Sequence, residues 1–109
     1  MYKTNEYYVE EIIKNLDFIS NHMDGVTQEA LEADEVLTDS MVFRLIQISE
    51  SSKNLTDEYK TKHESIPWGD ITALRNRLVH DYGNVDMTIV YDTLTKDVLE
   101  LKQELSALL

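Results

Sequence analysis

The run Arg75-Asn76-Arg77-Leu78-Val79-His80-Asp81-Tyr82 gathers a guanidinium, a carboxamide, an imidazole and a phenol within about two turns of one helix-patterned segment. Ile71, Leu74, Leu78 and Val79 recur through it at helical spacing, so the polar groups ride on a segment that must also pack. Side chains that hold a phosphate and move a proton, carried on a rigid helix, are what a small phosphoryl-transfer site requires. Histidine titrates near ~6.5, so its acid and base forms coexist around neutrality. Arg75 can grip two phosphate oxygens at once, which a lysine cannot. Metal-free RNA cleavage needs a base for the 2′-hydroxyl, an acid for the departing 5′-oxygen and cationic donors at phosphorus.

Helical geometry sorts these groups. Asn76 and His80, four residues apart, share a face. Arg75 and Tyr82, seven apart, return to within ~20° of one line, about 10 Å along the axis. Arg75 and His80 are ~140° apart and flank a surface. One copy of the helix therefore offers a single histidine and a splayed arginine. Two copies facing each other across a two-fold axis would surround one groove with two histidines, two arginines and two asparagines, so a homodimer is expected.

The rest of the chain must position this segment. With three glycines and one proline, the composition suits an all-α chain with few sharp turns. Tyr8, Ile12, Leu16 and Ile19 lay an apolar stripe along a first helix, about Thr4 to Met23, which Asp24-Gly25 stops. Thr27 can cap a short acidic helix. A longer helix is expected from about Thr38 or Asp39, through Val42, Leu45, Ile46 and Ile48, toward Leu55. A break and restart follow there, with Thr56 as cap. Pro67 opens the next helix, which carries the Arg-His segment to Tyr82 and ends at Gly83-Asn84. Asp86 caps a last helix with Ile89, Val90, Leu94, Val98, Leu101, Leu105 and Leu108 as its stripe. The expectation is a single domain, residues 1–109, folded as a bundle of four main helices plus a short one.

Composition narrows the chemistry. The absence of cysteine removes disulfides, zinc–thiolate sites and thiol nucleophiles. His22, His63 and His80 lack metal-ligand spacing, so neither a metal nor another cofactor is expected. No apolar run approaches the ~20 residues of a membrane span, and Met1-Tyr2-Lys3-Thr4 does not open a signal peptide, so the expected location is the cytoplasm with no membrane partner. The net charge of −11, from 21 acids and 10 bases, argues against non-specific nucleic-acid binding. Arg44, Lys53, Arg75 and Arg77 nevertheless gather in mid-chain, which leaves room for a small local site.

Arg75-Asn76 followed by His80-Asp81-Tyr82 resembles the Arg-x(4)-His-x-Tyr signature of HEPN domains of the HepT-like toxin group. Ile66-Pro67-Trp68 before it, and Gly83-Asn84-Val85-Asp86 with Ile89-Val90-Tyr91-Asp92 behind it, extend the similarity. It covers the whole chain in length and helix order and is strongest from about Ile66 to Thr95. The resemblance implies a HEPN-like bundle and a metal-independent ribonuclease acting as the toxin of a type VII toxin–antitoxin pair. It implies a site completed at a homodimer interface, with Arg75, Asn76 and His80 as catalytic positions. The implied partner is an MNT-type nucleotidyltransferase antitoxin that transfers AMP to Tyr82. The implied substrate is RNA, tRNA among the candidates.

Each of these residues also has a plainer reading. Arg75 and Asn76 can form a solvated helix face, and His80 can be a satisfied interface side chain. Tyr82 can pack with its hydroxyl capping the helix end, and Trp68 reads as core. His22 and His63 read as surface residues without a role. The competing function is a non-catalytic helical dimer that binds a nucleotidyltransferase and nucleotides.

Overall fold

The computed structural model describes residues 3–109. Met1 and Tyr2, which bear on the signal-peptide expectation, lie outside them. Helix α1 (Asn5–Met23) starts where Thr4, in extended backbone, accepts the Tyr7 N–H in its side chain. It buries Ile12, Leu16 and Ile19 of the expected stripe together with Val9 and Met23, while Tyr8 is half-buried. Gly25, at φ +74°, then turns the chain through the left-handed region that a side chain disfavours. Asn15 is the polar member of that stripe. Its amide donates to the Glu11 carbonyl and its oxygen accepts from Arg44, so its burial leaves both ends satisfied.

Thr27 caps α2 (Gln28–Ala33). The long helix α3 (Glu35–Lys53) begins several residues earlier than its cap-type residues Thr38 and Asp39 suggest. Asp34 takes the capping role by accepting the Leu37 N–H. Thr38 is buried inside the helix, its hydroxyl donating to the Leu31 carbonyl at 2.6 Å. A threonine at the right spacing looks like a cap in sequence, but this hydroxyl joins α2 to α3.

Thr56 caps α4 (Asp57–Lys62) as expected, accepting the Tyr59 N–H. It also exchanges two hydrogen bonds with Asn5, tying the start of α4 to the start of α1. Helix α5 (Trp68–His80) opens immediately after Pro67 with no side-chain cap. Trp68 is half-buried, and its indole N–H donates to the His63 carbonyl. His63 thus has a structural part, at the end of α4 with its ring beside Tyr59. Asp86 caps α6 (Met87–Asp92), which runs through a π-helical turn at Thr93–Asp97 into α7 (Val98–Ser106). Thr93 and Thr95 bond back to the carbonyls of Ile89 and Tyr91 around that turn, which widens one otherwise continuous helix.

The four long helices are therefore α1, α3, α5 and the α6–α7 rod, and short helices occur twice, as α2 and α4. The described residues contain no strand, and no helix is long and apolar enough to cross a membrane. Helix α1 packs against both α3 and the α6–α7 rod, and α5 docks on α3. Leu78 is the one fully buried residue of α5. On the side away from its exposed polar face, Ile71, Leu74 and Arg77 line a groove of about 500 Å³ facing Ile89, Val98 and Leu101 of the rod. The helix that carries the polar motif is thus held chiefly by α3, with this groove between it and the rod.

Candidate active site

Arg75 is anchored by tertiary structure. Its Nε donates to Glu50 Oε1 of α3 at 3.0 Å, and its Nη1 donates to the Asn76 side-chain oxygen at 3.1 Å. A guanidinium has five N–H donors, so these two bonds leave three for a ligand. The side chain retains 30 % of its exposure, enough to fix its direction without sealing it away. Asn76 and His80 are exposed on the same helix, one turn apart. No described residue makes a hydrogen bond to the His80 ring. Arg75 and Asn76 are brought into direct contact, whereas His80 stands free beside them.

Tyr82 departs from its sequence expectation. Helix α5 ends at His80, and Tyr82 begins a 3₁₀ turn, Tyr82–Asn84. Asp81 leaves helical geometry at φ −147°, and its carboxylate accepts from the Asn84 side chain at 2.7 Å, which stabilises the tighter turn. Tyr82 consequently does not continue the helical line from Arg75. Its hydroxyl turns to α3 and donates to Asp39 Oδ1 at 3.4 Å, so it does not cap the end of its own helix. Partial burial, reinforced by the Asp39 carboxylate, holds this phenol above its ordinary pKa.

Arg77 lines the groove facing the rod, on a different flank from Arg75. His22 stacks on Phe18 with ring centroids 4.0 Å apart, remote in sequence from the motif. Among the described residues, no three His, Asp or Glu side chains gather in a way that could hold a metal ion. Two side chains that the motif alone does not reveal complete the neighbourhood: Glu50 under Arg75, and Asp39 beside Tyr82.

Helices α3 and α5 also share an apolar exposure next to these groups. Val36, Phe43 and Glu50 recur every seven residues along α3, and Val79 stands one turn beyond Arg75 on α5. Phe43 is 53 % exposed and Val79 42 %. The layer that holds the arginine, asparagine and histidine thus also presents apolar side chains to solvent.

Comparison with known proteins finds relatives along nearly the whole chain. The family described as "Ribonuclease HepT-like" matches residues 12–108. "Putative RNase TTE0752" of Caldanaerobacter subterraneus subsp. tengcongensis is 34 % identical over 107 residues, covering 98 % of this chain and 96 % of that protein. "Probable ribonuclease HepT" of Thermococcus cleftensis is 28 % identical over 102 residues, covering 94 % of this chain and 93 % of that one. A longer protein of Methanocaldococcus jannaschii, "Gamma-glutamylcyclotransferase and putative RNase MJ0434", is 28 % identical over 105 residues, which is 96 % of this chain and 47 % of its own length. No solved structure matches significantly. An all-α bundle with its polar motif on one exposed helix, matched nearly end to end, belongs to the HepT-like ribonuclease family.

Proposed function

We propose that this chain is a metal-independent endoribonuclease, the toxin of a type VII toxin–antitoxin pair, with a site completed by a second copy of itself. One observation carries the reading. Arg75, Asn76 and His80 lie on a flank of α5 that is accessible in the single chain, next to uncovered Phe43 and Val79. A second copy across a two-fold axis would cover the apolar side chains and bring two sets of polar ones together.

In such a site one His80 takes the proton of the RNA 2′-hydroxyl. The 2′-oxygen attacks phosphorus, and the bond to the 5′-oxygen breaks. The His80 of the second copy protonates that leaving oxygen. The products are a 2′,3′-cyclic phosphate and a 5′-hydroxyl. Arg75, oriented by Glu50, and Asn76 donate to the phosphate oxygens as charge builds on them. The net charge of −11 favours a shaped RNA such as tRNA, gripped at one local site, over binding along an extended backbone.

The antitoxin in this reading is an MNT-type nucleotidyltransferase that transfers AMP to Tyr82. The 39 % exposure of Tyr82, two residues beyond His80, supports it as the acceptor. An anionic nucleotide there, two residues beyond His80, would crowd and repel RNA approaching that histidine. Incubation with the cognate nucleotidyltransferase and ATP should raise the intact mass by AMP units and abolish RNA cleavage in parallel. Tyr82→Phe should gain no mass; a variant that gains mass like the wild type would remove Tyr82 from this role.

The alternative, a non-catalytic helical dimer that binds the nucleotidyltransferase and nucleotides, draws on the Glu50–Arg75 ion pair only for its docking face, because a carboxylate there competes with any phosphate, of nucleotide or RNA alike. The three remaining N–H donors of Arg75 favour the catalytic reading.

A further inference from the structure

We infer that Asp39 is the proton acceptor when Tyr82 takes up a nucleotidyl group, so that the modified protein supplies the base for its own modification. The inference rests on the reading of Tyr82 as the acceptor. Among the described residues, the Tyr82 hydroxyl has one hydrogen-bond partner, Asp39 Oδ1 at 3.4 Å. That distance is well beyond the ~2.5–2.7 Å of a tight charged O–H···O bond, and such contacts in a resting site shorten when the reactive complex forms. Tyr82 and Asp39 share an open hollow of about 460 Å³ with Glu35, Thr38 and Met87, which leaves the hydroxyl approachable by a nucleotide. Glu35 is the other carboxylate acting on the phenol, without a hydrogen bond to it.

Chemistry requires a base at this position. A neutral phenol is a weak nucleophile near neutrality, and partial burial together with these carboxylates makes free phenolate scarcer still. The proton must therefore leave as the new bond forms. In the proposed step the Tyr82 oxygen attacks the α-phosphorus of ATP. The oxygen–phosphorus bond forms as the bond from the α-phosphorus to the bridging oxygen breaks. Pyrophosphate departs with that electron pair, and the phenolic proton passes to Asp39 Oδ1 and then to solvent. The carboxylate that disfavours phenolate at rest is the group placed to take its proton in the transition state.

The test is a single-turnover measurement on the full chain with saturating cognate nucleotidyltransferase and Mg²⁺–ATP, followed by intact mass. Asp39→Asn keeps the size of the side chain and an oxygen that accepts the hydrogen bond, but takes no proton. It should slow AMP transfer by about 100-fold or more while leaving affinity for the partner unchanged. Asp39→Glu, with a carboxylate on a longer stem, should regain much of that loss. AMP transfer to Asp39→Asn at the wild-type rate would overturn the inference while leaving Tyr82 as acceptor. No mass gain on the wild type, or an equal gain on Tyr82→Phe, would overturn the acceptor reading and this inference with it.

Discussion

The Arg75 guanidinium is aimed in the single chain, because Glu50 holds one end of it and Asn76 the other. An ion pair this exposed contributes at most about 1 kcal/mol to stability, so its value lies in orientation. Glu50→Ala should therefore leave thermal unfolding nearly unchanged while lowering RNA cleavage roughly 10- to 100-fold, as expected for a displaced phosphate-binding group. Faster cleavage by that variant would instead make Glu50 a group that restrains the arginine. The candidate residues are legible from type and spacing, since Arg75, Asn76, His80 and Tyr82 fall within one short run. Glu50 and Asp39 were not legible, because their contacts span 25 and 43 residues. Only the antiparallel docking of α3 and α5 brings such partners together, and no local pattern encodes it.

At the scale of the element, α5 is a lightly anchored helix. Leu78 is its one fully buried side chain, with Trp68, Ile71 and Leu74 partly buried around it. Leu78→Ala should cost about 2–5 kcal/mol, near the upper end if the site cannot collapse. Trp68, in the first turn of α5, gives a fluorescence signal that should report its undocking, and RNA cleavage should fall with it. An unfolding midpoint equal to wild type would show that α5 is held by other contacts. Stripes and caps made most helices readable: Thr27, Thr56 and Asp86 all cap where their spacing places them. Two boundaries moved because side chains found other partners. Thr38 bonds the Leu31 carbonyl, leaving the capping to Asp34, and Asp81 breaks α5 before Tyr82. The second shift turns the phenol from the Arg75 line to Asp39.

At the scale of the molecule, the bundle holds the motif helix chiefly through α3, with apolar side chains exposed beside the polar ones. If a second copy covers that face, Phe43→Asp should convert the dimer to a folded monomer by sedimentation and abolish RNA cleavage. A folded monomer with full nuclease activity would sink the composite site, because one chain would then supply both the base and the acid. The measurement that bears most directly on the central claim is RNA cleavage in EDTA by wild type and His80→Ala, each checked for folding and for unmodified mass. Total tRNA is the substrate, and the ends of the products are read. The expected result is cleavage by wild type alone, leaving 2′,3′-cyclic phosphate ends. Equal cleavage by His80→Ala, or none by either protein, would contradict His80-dependent, metal-independent catalysis.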